Sequence, residues 1–158
     1  MNFYKLNFDG SFNNGVANLG TIIRNHNGEI VNIHRESTQD DSAIQVEARA
    51  LLAGIRKALE IGIRNIILEG DNLTVVNTLK RNWKPTLGQT IVNDIRILFR
   101  QFNKAEIYHC YREGNQAADC IAKHNCNFNS QQYDPLLRDF YVIIRKDELG
   151  WSFVRKTT

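Results

Sequence analysis

The chain has 158 residues, 42% of them hydrophobic and 23% charged, which is enough for one globular domain with its own core and too little for two. A formal net charge of +3 leans only mildly toward an anionic partner, so charge by itself selects no function. Three cysteines, odd in number and without a C-x-x-C pair, argue against a secreted disulfide framework and for a reducing compartment, cytoplasm or nucleus.

In chain order, residues 2 to 9 alternate, with Phe3, Lys5, Asn7 and Asp9 on one side and Tyr4, Leu6 and Phe8 on the other. This predicts a first strand ending at Asp9. No long apolar run is present here to act as a secretory leader. The run Gly10, Ser11, Asn13, Asn14 and Gly15 predicts the turn that follows. Two further β segments, about 17–24 and 29–36, flank Asn25-His26-Asn27-Gly28, whose Asn-Gly pair suits a tight hairpin. The first third therefore reads as an antiparallel meander.

From Ser42 the period becomes helical: Ile44, Ala48, Leu51, Ile55 and Leu59 recur at three- and four-residue steps, and Gly62 is a natural stop. Asn65-Ile66-Ile67-Leu68 reads as a short strand covered on both faces. Asp71 or Asn72 can cap a helix running through Leu79, and a second amphipathic helix after Pro85 carries Ile91, Ile95, Leu98, Phe99 and Phe102. Ile107 to Tyr111 reads as a strand, followed by a helix from about Asn115 to Lys123. The order implies an α/β domain, a mixed five-stranded sheet of three antiparallel then two parallel strands, with helices on both faces. Residues 1–125 form the domain. Residues 126–158 form a polar linker and an extension, in which Phe140 to Ile144 and Trp151 to Val154 alternate like the arms of a β-hairpin packed on the domain. No stretch approaches the roughly 18 apolar residues of a membrane span, so a soluble chain without a membrane partner is expected. Cys120, His124 and Cys126 match no common zinc spacing and read as ordinary thiols and a histidine.

Three acids from distant sequence fall at element boundaries: Asp9, Asp71 and Asp119. Reactive groups of open α/β sheets gather at such strand ends. Glu47 adds a fourth, with Ile44, Leu51 and Gly54 as its helical neighbours, so its carboxylate lies on or beside the face that must pack on the sheet. Leaving it there unpartnered would cost on the order of several kcal/mol, so a cation is expected nearby. Each acid has an ordinary alternative: Asp9 as a turn residue, Asp71 as a helix cap, Asp119 as a first-turn acid, Glu47 as the partner of Arg49 or Arg56. All four alternatives must hold at once for the acids to be unrelated. An all-carboxylate set favours Mg2+ or Mn2+ over softer metals, and two such ions can hold the attacking water and the leaving oxygen of a phosphodiester.

The stretches Phe8-Asp9-Gly10-Ser11, Val46 to Gly54, Leu68 to Asn72 and Arg112 to Lys123 together resemble a ribonuclease H-like domain, and more closely those of plant genomes and retroelement reverse transcriptases. The resemblance implies a ribonuclease H-like fold over about residues 2 to 125. It implies an endoribonuclease that hydrolyses the RNA strand of an RNA/DNA hybrid with two Mg2+ ions, leaving 3′-hydroxyl and 5′-phosphate ends. Asp9, Glu47, Asp71 and Asp119 would be its catalytic, metal-binding acids, Glu47 also sensing a ribose 2′-hydroxyl, and no small-molecule cofactor is implied.

The chain departs from bacterial ribonuclease H in two places. Only Glu113 and Gly114 separate Arg112 from Asn115, so no loop histidine is carried over, and His109 reads as structural. The basic protrusion is reduced to Lys80-Arg81-Asn82-Trp83-Lys84, in which Trp83 and Lys84 are candidates for stacking and phosphate contact. Gly10, Ser11, Asn13, Asn14, Asn72, Arg112 and Asn115 are the other candidate substrate contacts, with Asn115 first a helix cap. A retroelement-derived binding module that keeps the fold without cutting is the competing function, and the sequence leaves the oligomeric state open.

Overall fold

The computed structural model describes residues 2–81, 88–124, 140 and 142–145. Five strands, β1 (Tyr4–Asn13), β2 (Val16–Arg24), β3 (Ile30–Thr38), β4 (Asn65–Gly70) and β5 (Lys104–His109), form one sheet in the order β3-β2-β1-β4-β5. The β1–β2 and β2–β3 pairs are antiparallel, while β1–β4 and β4–β5 are parallel. Strand β1 is thus where the sheet changes sense. The helices are α1 (Ala43–Glu60), α2 (Leu73–Arg81), α3 (Gln89–Phe99) and α4 (Gln116–Lys123), the last preceded by a single 3-10 turn at Arg112–Gly114.

Several boundaries differ from the sequence expectation. Strand β1 does not stop at Asp9 but runs to Asn13, because Gly10 to Asn13 continue the ladder against Ala17 to Leu19 and pair Asn13 with Val16. Only Asn14 and Gly15 turn the chain, both at positive φ (50° and 74°), as a two-residue hairpin turn requires. The next hairpin is held by Asn25, whose side-chain oxygen accepts from the backbone N–H groups of Asn27 and Glu29. Strand β5 covers Lys104–His109 rather than 107–111, since its parallel pairing with Asn65–Gly70 sets its ends.

Helix α1 forms as its periodicity dictates. Ser42 caps it by accepting from Gln45 N at 3.3 Å, and the chain leaves it through Gly62 at φ 90°. Its buried stripe of Ala48, Leu51, Leu52, Ile55 and Ala58 lies on one face of the sheet with Leu6, Phe8, Leu19, Ile23, Ile66 and Leu68. Helices α2 and α3 extend this core through Val75, Val76, Val92 and Ile95. Helix α4 covers the opposite face over β1, β2 and β3, burying Ala117, Ala118, Cys120 and Ile121 with Ile22.

Because α4 lies over that half of the sheet, the far face of β4 is only half covered. Ile66 and Leu68 are buried, whereas Ile67 and Glu69 are intermediate, which departs from the expectation of cover on both sides. In the extension, Phe140 and residues 142–145 are helical where the alternation suggests a strand. Phe140 is buried in the α4 cluster with Ile143 and Ile144 packed beside it, and burial of that apolar edge outweighs the local pattern. The other arm, Trp151 to Val154, lies outside the described residues, as do Cys126, Trp83 and Lys84. No helix among the described residues is long and apolar enough to cross a membrane.

Candidate metal centre

The parallel register of β1 and β4 pairs Phe8 with Gly70, so an acid follows each, Asp9 within β1 and Asp71 just past the end of β4. Gly70 is required there, because a Cβ would come within 2.3 Å of the Phe8 ring. Of the two residues that could cap α2, Asn72 takes the role, its Oδ1 accepting from Val75 N at 3.1 Å, which leaves the Asp71 carboxylate uncommitted to the helix. The Asp71 backbone is held from the other side by His109 Nε2, 3.1 Å from its carbonyl oxygen. His109 is therefore a support at the end of β5, in keeping with its strand position.

Glu47 reaches the centre from α1. At Gly10 a Cβ would lie 2.6 Å from Val46 Cγ1 and 2.7 Å from Glu47 N, so the first turns of α1 press directly on the β1 backbone. Gly10, a candidate substrate contact, is the gap that admits the helix, and it also lines the cleft beside these acids. Carboxylate oxygens of Asp9, Glu47 and Asp71 all lie within 4.8 Å of one another.

Asp119 is placed differently. It lines the same cleft and meets Asp9 through a side-chain hydrogen bond, but it is not one of those three mutually close carboxylates, and its Oδ1 pairs with Lys123 Nζ at 2.8 Å across one turn of α4. The helix that carries it is fixed to β1 and β2 by two features. At Gly20 a Cβ would lie 2.5 Å from Ala122 N and 2.7 Å from Ala118 O. Asn115 Nδ2 donates to the Phe8 carbonyl oxygen at 2.9 Å, and its Oδ1 accepts from Asn7 Nδ2 at 3.2 Å. Asn115 occupies the N-cap position without a side-chain capping bond and is 1% exposed. It cannot reach a substrate from there, so both expected roles give way to a buried strut.

The electrostatics are those of acids taken out of water. Burial, with the neighbouring charges of Glu47 and Asp71, holds Asp9 far above the usual carboxylate range. Burial likewise lifts Glu47 to about 7, although the hydrogen bond shared with Asp9 opposes the shift. Asp71 is raised by burial against the nearby Arg112 and His109, which lower it. Burial pushes the Cys110 thiol to about 12, which removes it as a ligand or nucleophile. Among the described residues, Glu47 Oε2 is buried and has no hydrogen-bond partner. A cation would supply the charge and the coordination that this oxygen lacks, and three carboxylates offer oxygen donors suited to a hard divalent ion.

The cleft measures about 540 Å3. Of the candidate substrate contacts, Gly10, Ser11, Asn72 and Arg112 line it, whereas Asn13 and Asn14 are exposed at the hairpin tip and do not. Gln116 and Lys123 line it as well, beyond the residues expected from the sequence. Their position follows from the i, i+3 and i+4 spacing around Asp119 on α4, a signal present in the sequence once the helix is granted.

Sheet order, helix placement and acids at the change of strand sense define a ribonuclease H-like α/β domain. The chain belongs to the reverse transcriptase-like family, whose model matches residues 7–125. Among solved structures it is similar to RNase H1 of the halophilic archaeon Halobacterium salinarum, at 25% identity and a TM-score of 0.69 over 76% of this chain and 94% of that one. The N-terminal RNase H domain of Rv2228c from Mycobacterium tuberculosis has the same fold, at 20% identity and TM-score 0.72 over 76% and 90%. So does LC11-RNase H1, solved in complex with an RNA/DNA hybrid, at 15% identity and TM-score 0.68 over 75% and 92%. No curated protein matches the chain.

Proposed function

We propose that the chain is a metal-dependent endoribonuclease that hydrolyses the RNA strand of RNA/DNA hybrids. The observation that carries this reading is the convergence of Asp9, Glu47 and Asp71 within 4.8 Å around a buried, unpartnered Glu47 oxygen. Fold membership and the hybrid bound by LC11-RNase H1 support the choice of substrate.

Asp9, Glu47 and Asp71 would hold a divalent cation, Mg2+ or Mn2+, and Asp119 would contribute to a second. Such ions supply the charge that activates water and stabilises the leaving oxygen. The chain's own contribution is placement. Phe8 against Gly70 sets Asp9 beside Asp71, and Gly10 lets α1 carry Glu47 onto them. Arg112 and Lys123 give the cleft its cationic side for phosphate, while Ser11 and Asn72 offer hydroxyl and amide groups to ribose, whose 2′-hydroxyl separates RNA from DNA.

The test gives the chain labelled RNA/DNA hybrid, single-stranded RNA and single-stranded DNA side by side, in Mg2+ and in Mn2+. Only the hybrid's RNA strand should be cut, leaving 3′-hydroxyl and 5′-phosphate ends, with loss on chelation and in Asp71→Asn. Hybrid left intact in both metals would defeat the reading. Hybrid bound but uncut would mark a nucleic-acid-binding module instead.

A further inference from the structure

We propose that Lys123 is a tethered cation that occupies the Asp119 carboxylate, so that a first divalent ion binds on Asp9, Glu47 and Asp71 and a second, which needs Asp119, binds only by displacing the ammonium. The inference deepens the metal-centre reading and rests on it.

Three observations lead to it. Asp119 lines the cleft and meets Asp9 through a side-chain hydrogen bond, but it is not one of the three mutually close acids, and its Oδ1 is paired with Lys123 at 2.8 Å. The backbone of α4 cannot slide to change this, because Gly20 is packed against Ala118 and Ala122, and Asn115 is bonded to Phe8. The remaining freedom is rotation of two side chains, 41% and 56% exposed. An i, i+4 pair on a helix is ordinary and weak. Here, however, one partner faces three other acids, so the ammonium offsets repulsion that Asp119 would otherwise feel within the cleft.

Exposure makes the pair a gate rather than a lock. A buried ion pair costs much to break, whereas an exposed one is worth little against a divalent ion, and a lysine ammonium on a flexible stem swings aside readily. The first ion meets three preassembled carboxylates, and the second must compete with Lys123 for the fourth. The two sites should therefore fill in sequence, at different concentrations.

Mn2+ binding to the full chain, followed by electron paramagnetic resonance and calorimetry, tests this without reference to cleavage. The unaltered chain should show a tighter and a weaker site. Lys123→Gln should tighten the weaker site about five- to tenfold, the scale set by a unit charge near 4 Å at an exposed position, and leave the tighter one unchanged. Lys123→Arg should keep the weaker site weak, and Asp119→Asn should abolish it while sparing the tighter one. Equal effects of Lys123→Gln on both sites, no effect on either, or loss of the tighter site in Asp119→Asn would each overturn the inference. A chain that loads Mn2+ in this order but leaves hybrid intact would retain the gate and lose the proposed function, so the two failures are distinguishable.

Discussion

Asn115 and Phe8 lie 107 positions apart and are joined by a hydrogen bond from Asn115 Nδ2 to the Phe8 carbonyl oxygen at 2.9 Å. Phe8 precedes Asp9, and Asn115 sits one helical turn before Asp119, so this one bond relates the backbones of the two acids. Asn115→Ala removes it together with the bond from Asn7 and leaves buried polar atoms unmatched. A loss of about 1–3 kcal/mol is expected, read as a fall of about 2–4 °C in Tm per kcal/mol for a domain of this size. Thermal unfolding checks it. A Tm unchanged from the parent would show that the strut bears no load.

Gly10→Ala forces a Cβ to within 2.7 Å of Glu47 N, a backbone atom that cannot move without the whole helix. The expected cost is about 1–3 kcal/mol of overpacking, accompanied by weaker Mn2+ binding as Glu47 is levered away from Asp9. Unfolding and metal titration on one preparation would show both. Loss of stability with unchanged metal affinity would mean that α1 shifts as a rigid unit without disturbing the carboxylate.

Asp71→Asn and Asn72→Ala, neighbours in sequence, should separate function from stability. Asn72 caps α2 and Asp71 does not. Asn72→Ala should therefore lower stability by about 0.5–2 kcal/mol with metal binding largely retained. Asp71→Asn should lose metal binding and hybrid cleavage while Tm holds or rises, since it relieves repulsion among buried acids. The reverse pattern would return Asp71 to the capping role.

The metal-free chain should become more stable as pH falls. Burial raises Asp9 and Glu47 above their unfolded values, Glu47 to about 7. A carboxyl whose folded pKa is raised contributes stability that is present below the unfolded pKa, near 4, and is lost as pH rises through the folded one. For Glu47 the Tm should therefore fall between about pH 4 and 7 relative to Glu47→Gln. Saturating Mg2+ should flatten that dependence. A Tm difference between the two chains that does not change with pH would contradict the linkage.

Much of the fold and of the site is legible in the amino-acid pattern. The helical period from Ile44 to Leu59 forms α1, with Ser42 as its cap and Gly62 at its exit, because local propensity and burial agree there. Glu47 on the apolar stripe signals a buried acid, and it is 6% exposed. Where pattern and fold part, tertiary pairing overrides a local signal. Gly10, Ser11 and Asn13 have turn chemistry but continue β1, since β2 supplies partners for their backbone. Asn115 has capping chemistry, but its Oδ1 accepts from Asn7 Nδ2 on β1 instead of a helix N–H, while its Nδ2 donates to the Phe8 carbonyl oxygen.

The sequence by itself determined which acids exist, which helices and strands carry them, and that a carboxylate would be buried on α1. These follow from periodicity and side-chain chemistry, which are local. Only the tertiary structure decided which acids meet. The register of β1 with β4 brings Asp9 beside Asp71, the bare backbone at Gly10 admits Glu47, and the docking of α4 places Asp119, paired with Lys123, in the same cleft. Distances between side chains far apart in sequence depend on how strands pair and helices pack, and no local pattern carries that information.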